Sequence, residues 1–258
     1  MRRATLAGCL FAVLLATVAF AQWGRRGYYE EDVPVPADAS EKTEYVFARL
    51  RYDGYRRRRG GSWATDYPKA DRQFLQGVRR LTRIHSRSKE QVVDVNSDEI
   101  FDYPWIYAVE VGSWVLSDEQ GAHLREYINR GGFLMVDDFH GDYEWDSFHE
   151  SFIKIFPDRP IVDLEDSDAV FHVLYDLEKR FQIPGVQYVR SGVTWEKGGV
   201  DPHWRGVYDE KGRLVVAICH NMDLGDAWEW ADIPEYPEPF ASLAYRVALN
   251  YIIYSMSH

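Results

Sequence analysis

Apolar positions along the chain fall into short runs whose spacing alternates between two periods. Four runs read as strands: Tyr45 to Leu50 in "EYVFARLRY", Val92 to Val95 in "QVVDV", Ile106 to Val111 in "WIYAVEV" and Phe133 to Asp137 in "GGFLMVDDF". Runs this short, apolar throughout and closed by polar residues, suit strands buried on both faces. Between them the period lengthens. From Asp71 onward, Phe74, Leu75, Val78 and Leu81 recur at helical spacing. "SDEQGAHLREYINRGG" opens with Ser117, carries Gln120 three residues on as a capping box, and ends at Gly131. A further helix is expected from Asp146, with Phe148, Phe152 and Ile155 inward. The last is expected from about Pro239, with Leu243, Val247, Asn250, Tyr251 and Tyr254 on one side. Strand-helix alternation with short connections predicts an α/β three-layer sandwich around a mainly parallel, doubly wound sheet. Regularity weakens after about Val170, and "GVYDEKGRLVVAICH" then reads as a late hairpin turning at Asp209 to Gly212.

The start of the chain follows other rules. Arg2 and Arg3, the apolar run Ala4 to Val18 and the small-residue site Ala19-Phe20-Ala21 have the order of a secretory signal. Residues 1–21 are therefore expected to be a signal peptide, which puts the mature protein in the periplasm or outside the cell. An uncleaved anchor is the alternative reading, since the apolar run is at the short limit for a span. Residues 22–43, with two prolines before Asp38 and mixed charge, read as a linker or mobile arm. Residues 44–258 are expected to form a single domain.

Charge and composition narrow the partners. The formal net charge is −11, and removing the first 21 residues takes away two arginines and no acid. That excludes nucleic acid and anionic membrane as favoured partners, and after cleavage no integral span is expected. Of the two cysteines only Cys219 would remain, so no intramolecular disulfide is expected despite export. Nine tryptophans and seventeen tyrosines suit either an aromatic-rich core or a surface that faces sugar or peptide. A nucleophile elbow of the G-x-S-x-G type, a Walker loop, a dinucleotide fingerprint and HExxH are all missing from the sequence, and no cofactor is expected.

In a doubly wound sheet, ligands bind beyond the carboxyl ends of the strands. That rule gathers the loop after the first strand, with Arg56, Arg57, Trp63 and Asp66, then Asn96, then Asp137, Asp138 and His140 in "DDFHG", then His220 and Asp223 in "CHNMD". Adjacent carboxylates with a histidine in reach can do acid-base work or hold a divalent cation. They can equally cap the next turn. Arg56 and Arg57 in a glycine-rich loop can clamp an anion or simply face the protein's own acids. A cation site at Asp137, Asp138, His140 and His220 is one variant, but spacing commits none of them as metal ligands.

"FARLRYDG…GGSWATDYPKAD", "LREYINRGGFLMVDDFHG" and "GRLVVAICHNMDLGDAWEW", closed by "AYRVALNYIIYSM", resemble the bacterial exported domain-of-unknown-function 4159 family over residues 44 to 258. "WATDYP" and "GGFLMVDDF" are the more specific marks. The resemblance implies a glutamine amidotransferase-like, flavodoxin-type sandwich and no established activity. Where those enzymes place their cysteine, at the elbow after the strand matching "GGFLMVDDF", this chain has Asp138 or Phe139. Where they place a late His-x-Glu pair, it has His220 with Met222 in the glutamate's position. Amidotransferase chemistry is therefore not expected. The resulting reading is a non-catalytic module that binds an envelope protein, peptide or glycan. The alternative is a hydrolase of a cell-envelope or glycan-type substrate, with Asp138 as nucleophile or base, His220 as its partner and Asp137 or Asp223 orienting. In that arrangement a carboxylate beside His220 would raise the histidine's pKa.

Overall fold

The four apolar runs form a parallel sheet in the order β2-β1-β3-β4, made of β1 (Ala48–Arg51), β2 (Gln91–Asp94), β3 (Trp105–Val109) and β4 (Phe133–Phe139). A computed structural model describes residues 34–55 and 62–258 of the chain. The expected signal segment and residues Arg56 and Arg57 lie outside the described residues. Beyond β4 the sheet continues with β7 (Leu214–His220), parallel to it, then β6 (His203–Tyr208), antiparallel to β7, and the short β5 (Val162–Asp163), antiparallel to β6. The five parallel strands therefore run in the order of a doubly wound sheet, and β6-β7 is the expected hairpin.

Helices cover both faces because the central strands β3, β4 and β7 are buried on both sides. On one face α2 (Asp118–Asn129) and α3 (Gly141–Phe152) bury Leu124, Ile128, Phe148 and Phe152 against Leu50, Ile106, Val136 and Ile218. On the other, α1 (Lys69–Leu81), α5 (Leu224–Glu229) and α6 (Glu238–Ser257) bury Phe74, Val78, Trp228 and Val247 against Phe47, Tyr107 and Met135. The Ser117 box caps α2 in both directions, its hydroxyl accepting from Gln120 N while the Gln120 side chain accepts from Ser117 N. A single-turn helix, α4 (Tyr188–Ser191), sits in the irregular stretch between β5 and β6.

Three expectations change. Helix α3 begins at Gly141, not Asp146, because the Glu144 carboxylate accepts from His140 N at 2.8 Å and closes the first turn directly behind β4. Leu81, expected on the inner stripe of α1, is exposed at its last turn. The end of the expected arm is tied down: Asp38 accepts from Arg79, Ser88 N and the Ser88 hydroxyl, which holds its carboxyl below the ordinary range despite the opposing effect of burial. Val35 to His258 forms one unit. Among the described residues no helix is long and apolar enough to cross a membrane.

Candidate functional site

The site is built where β4 breaks its alternation. Even-numbered residues Leu134 and Val136 face α2 and α3, while Met135 faces the other helices. Asp138 should follow Val136, but it takes a left-handed φ of 55° and the pairing with β7 slips between Val136 and Phe139. The bulge puts Phe139 on the α2–α3 face and turns Asp138 aside.

Asp138 is thereby brought to Asp66 and Asp223. These three residues each offer a carboxylate oxygen, and the three oxygens lie within 4.8 Å of one another. Each is placed by a separate device. Asp66 follows a loop held by Arg49, which is fully buried on β1. The Arg49 guanidinium grips Asp71 of α1 and donates to Trp63 O at 3.1 Å and Thr65 O at 2.9 Å. Asp223 caps α5, accepting from Asp226 N at 2.7 Å. A second group overlaps the first, with Asp66, Asp226 and Glu229 again within 4.8 Å. Asp226 and Glu229 follow Asp223 at helical spacing on α5, and the signal for them in the sequence is the i, i+3, i+6 spacing of acids in "DLGDAWE".

Asp137 forms the floor. It is fully buried, and its Oδ2 accepts from the Tyr107 hydroxyl, Leu224 N and Gly225 N at 2.8–3.2 Å. Its Oδ1 has no hydrogen-bond partner among the described residues, and neither has Asp66 Oδ2. Gly225 is where the parts meet. A Cβ there would lie 2.6 Å from Asp66 Oδ2, 3.0 Å from the Tyr107 hydroxyl and 3.5 Å from Asp223 Oδ1.

Burial and mutual repulsion raise Asp66, Asp137, Asp138, Asp223 and Glu229. Burial first, then the Asp138 charge, lifts Asp137 to about 7. Burial lifts Asp138 to about 8, with Asp226, Glu196 and Glu144 adding and Lys197 opposing. Burial followed by neighbouring carboxylates pushes Asp66 and Asp223 well above the ordinary range and Glu229 to about 7. Such a group near neutrality can exchange protons with a substrate or take up a positive charge.

His140 Nε2 lies 3.1 Å from Asp138 Oδ1, and burial depresses its pKa. Around it, Glu144 is paired with Lys197 at 2.8 Å, and Asn221 Oδ1 accepts from Gly141 N at 2.8 Å. The Lys197 strand of loop passes close over Gly141, where a Cβ would meet Lys197 O at 2.2 Å. Five non-glycine residues have left-handed φ among the described residues: Asp66, Glu110, Asp138, Lys197 and Asn221. Asp66 and Asp138 belong to the carboxylate group, and Glu110 N donates to Asp137 O. Lys197 and Asn221 make the two contacts just given. Each such conformation costs on the order of 1 kcal/mol, and strain of this kind gathers at functional sites.

His220 is not the partner of Asp138. It faces the α2–α3 side, stacked on Phe139 at 4.8 Å and His203 at 5.5 Å, with the Trp145 ring tilted against it at 4.9 Å. Its Nε2 is 3.4 Å from Gly141 O and its Nδ1 3.4 Å from Arg205 Nη1. Burial, then the charge of Arg205, depresses its pKa to about 3, opposite to the expected rise. Asn96 also lies elsewhere. It follows edge strand β2, bound to Asp94 and to Gln120 of α2, and serves that turn. The Trp63 ring leans on Tyr67, and the residue's contribution to the site is the carbonyl that Arg49 holds. Cys219 is buried in the opposite cluster with its thiol pKa raised by burial, which leaves no reactive thiol there.

The model of a domain of unknown function, DUF4159, matches residues 46–256. The chain belongs to this family. No curated protein matches it. The match spans β1 through α6 and so includes every element that places a carboxylate. Family membership brings no reaction with it.

Proposed function

We propose that this DUF4159 protein is an exported envelope domain that binds a peptide or glycan through positively charged amino groups, at the carboxylate-lined strand ends. The observation that carries the reading is the meeting of Asp66, Asp138 and Asp223 within 4.8 Å. Three carboxyls that burial and repulsion keep from ionising together gain most from a cation between them. Two exposed aromatic residues suit a sugar or peptide backbone alongside: Tyr143, 75% exposed on the first turn of α3, and Trp195, 44% exposed two residues before Lys197. The export signal read in residues 1–21 places such ligands within reach. The test is a fluorescence titration of the full chain with a chito-oligosaccharide bearing free amines and with its fully acetylated form. The amine form should bind, and Asp223→Asn should weaken it about tenfold. Equal binding of both forms would overturn the reading.

One observation favours a hydrolase as the second reading. The Asp138–His140 pair, at 3.1 Å, replaces the expected Asp138–His220 pair. The left-handed Asp138, next to last in β4 and three residues before α3, also resembles a nucleophile elbow, in keeping with descent from an amidotransferase-like fold. In that case Asp138 is the base or nucleophile, and His140 orients it or relays its proton. Turnover of an envelope polymer by the wild type and its loss in Asp138→Asn would decide for catalysis.

A further inference from the structure

We infer that Asp66, Asp138 and Asp223 hold a hard divalent cation of the Ca²⁺ class, with the Asp137 carboxylate beneath it. This rests on the proposed reading of the same cleft as a site that takes positive charge, and names the metal ion as that charge. The geometry supports an ion. Two oxygens that share one cation at about 2.4 Å can be no more than about 4.8 Å apart. All three oxygens of the group meet that limit.

A second observation is independent of the cluster's acidity. Asp137 is 0% exposed, yet one of its oxygens has no hydrogen-bond partner among the described residues. A buried carboxylate oxygen without a partner is costly, and an ion or a water at that oxygen is one way to satisfy it. Its other oxygen is fixed at Gly225 N, the residue against which Asp66 Oδ2 and Asp223 Oδ1 also lie. The orphan therefore belongs to a carboxylate on the floor of the same group. Asp66 Oδ2 is a second orphan, held in place by the Arg49-bound loop.

The donor set selects the metal. Oxygen donors alone, without thiolate or imidazole in the group, suit Ca²⁺, Mg²⁺ or Mn²⁺ over Zn²⁺ or Cu²⁺. Among the described residues the nearby cations are already engaged, Arg49 with Asp71 and Lys197 with Glu144. Ca²⁺, which accepts irregular sets of six to eight oxygens, suits carboxylates fixed by three separate elements better than the stricter octahedron of Mg²⁺ does. The overlapping group of Asp66, Asp226 and Glu229 extends the acid lining to less deeply buried side chains.

The test uses the full chain freed of metal with EDTA, with thermal unfolding followed as Ca²⁺, Mg²⁺ or Zn²⁺ is added. Calcium at about a hundred times its dissociation constant should raise Tm by several degrees. Asp223→Asn and Asp138→Asn should fold, by circular dichroism, and weaken the ion at least tenfold. Asp118→Asn, at an exposed acid outside the cleft, should change nothing. Sensitised luminescence of Tb³⁺, which occupies Ca²⁺ sites, provides a second readout that needs no unfolding. No shift with any of the ions, or equal binding by the Asp223 variant, would overturn the inference. The amine-bearing glycan titrated in EDTA separates the two claims. Glycan binding without cation binding refutes the ion and leaves the cleft reading standing. Cation binding without glycan binding does the reverse.

Discussion

Replacing Asp138 by Asn should stabilise the metal-free protein, and by more the higher the pH. Asn keeps the shape, can pair with His140 Nε2 as donor or acceptor, and tolerates the left-handed φ of 55° at least as well as Asp. What it removes is a carboxyl whose pKa stands at about 8 against an ordinary 3.8. An acid raised in the folded state contributes stability that is full below its unfolded pKa and is lost as pH rises through the folded value. The wild type therefore loses stability between about pH 4 and 8, and the Asn variant escapes that share of the loss. At about 1.4 kcal/mol per unit, four units set a ceiling of about 6 kcal/mol. Protons shared among neighbouring acids reduce the gain from deleting one of them to about 2–3 kcal/mol. At roughly 2–4 °C per kcal/mol for a domain of this size, Tm should rise by about 4–12 °C at pH 8.5 in EDTA. At pH 5 most of that gap should close. Urea unfolding at both pH values measures it. A variant less stable than wild type at pH 8.5, or a difference independent of pH, would refute the reasoning and make Asp138 a structural anion. Added calcium should reverse the order, because it stabilises only the wild type.

Arg49→Met should cost about 3–5 kcal/mol, since it leaves Asp71 buried without its partner. The loop carbonyls of Trp63 and Thr65 would lose their donor too, so even folded variant protein should bind calcium poorly, by calorimetry. Gly225→Ala drives a methyl to within 2.6 Å of Asp66 Oδ2 and should weaken calcium at least tenfold, with a stability loss of about 1–3 kcal/mol by urea unfolding. His220 should remain neutral in the folded protein down to about pH 3 by NMR titration. A histidine depressed by folding contributes stability that is full above its unfolded pKa near 6.5 and is lost as pH falls toward 3. His220→Phe should therefore be relatively more stable at pH 4 than at pH 7.

The sheet was legible in the sequence because its strands are apolar on both faces and its connections short, a pattern few other folds produce. The strand ends were legible too, since the rule that sites lie beyond the carboxyl edge brought out Asp66, Asp137, Asp138 and Asp223. Which side chains would meet was not legible. Alternation along β4 and β7 puts Asp138 and His220 on one face, and only the bulge at Asp138 separates them. A one-residue slip reverses every side chain beyond it, and the sequence carries no mark of a bulge where the residue is Asp and not Gly. Asn96 was misplaced for a different reason. Strand order is a property of the whole topology, and β2 proves to be the edge. Asp226 and Glu229 could have been found, because a helix of two turns after Asp223 aligns them with it.

The central claim is that the three carboxylates share one ion, and anomalous scattering tests it most directly. Crystals of the full chain soaked in Mn²⁺, which has the same preference for oxygen ligands, should show a peak about 2.2 Å from oxygens of Asp66, Asp138 and Asp223. In crystals of Asp223→Asn the peak should be weak or absent. Three well-ordered carboxylates with no peak between them, or a peak bound only elsewhere on the surface, would contradict the account.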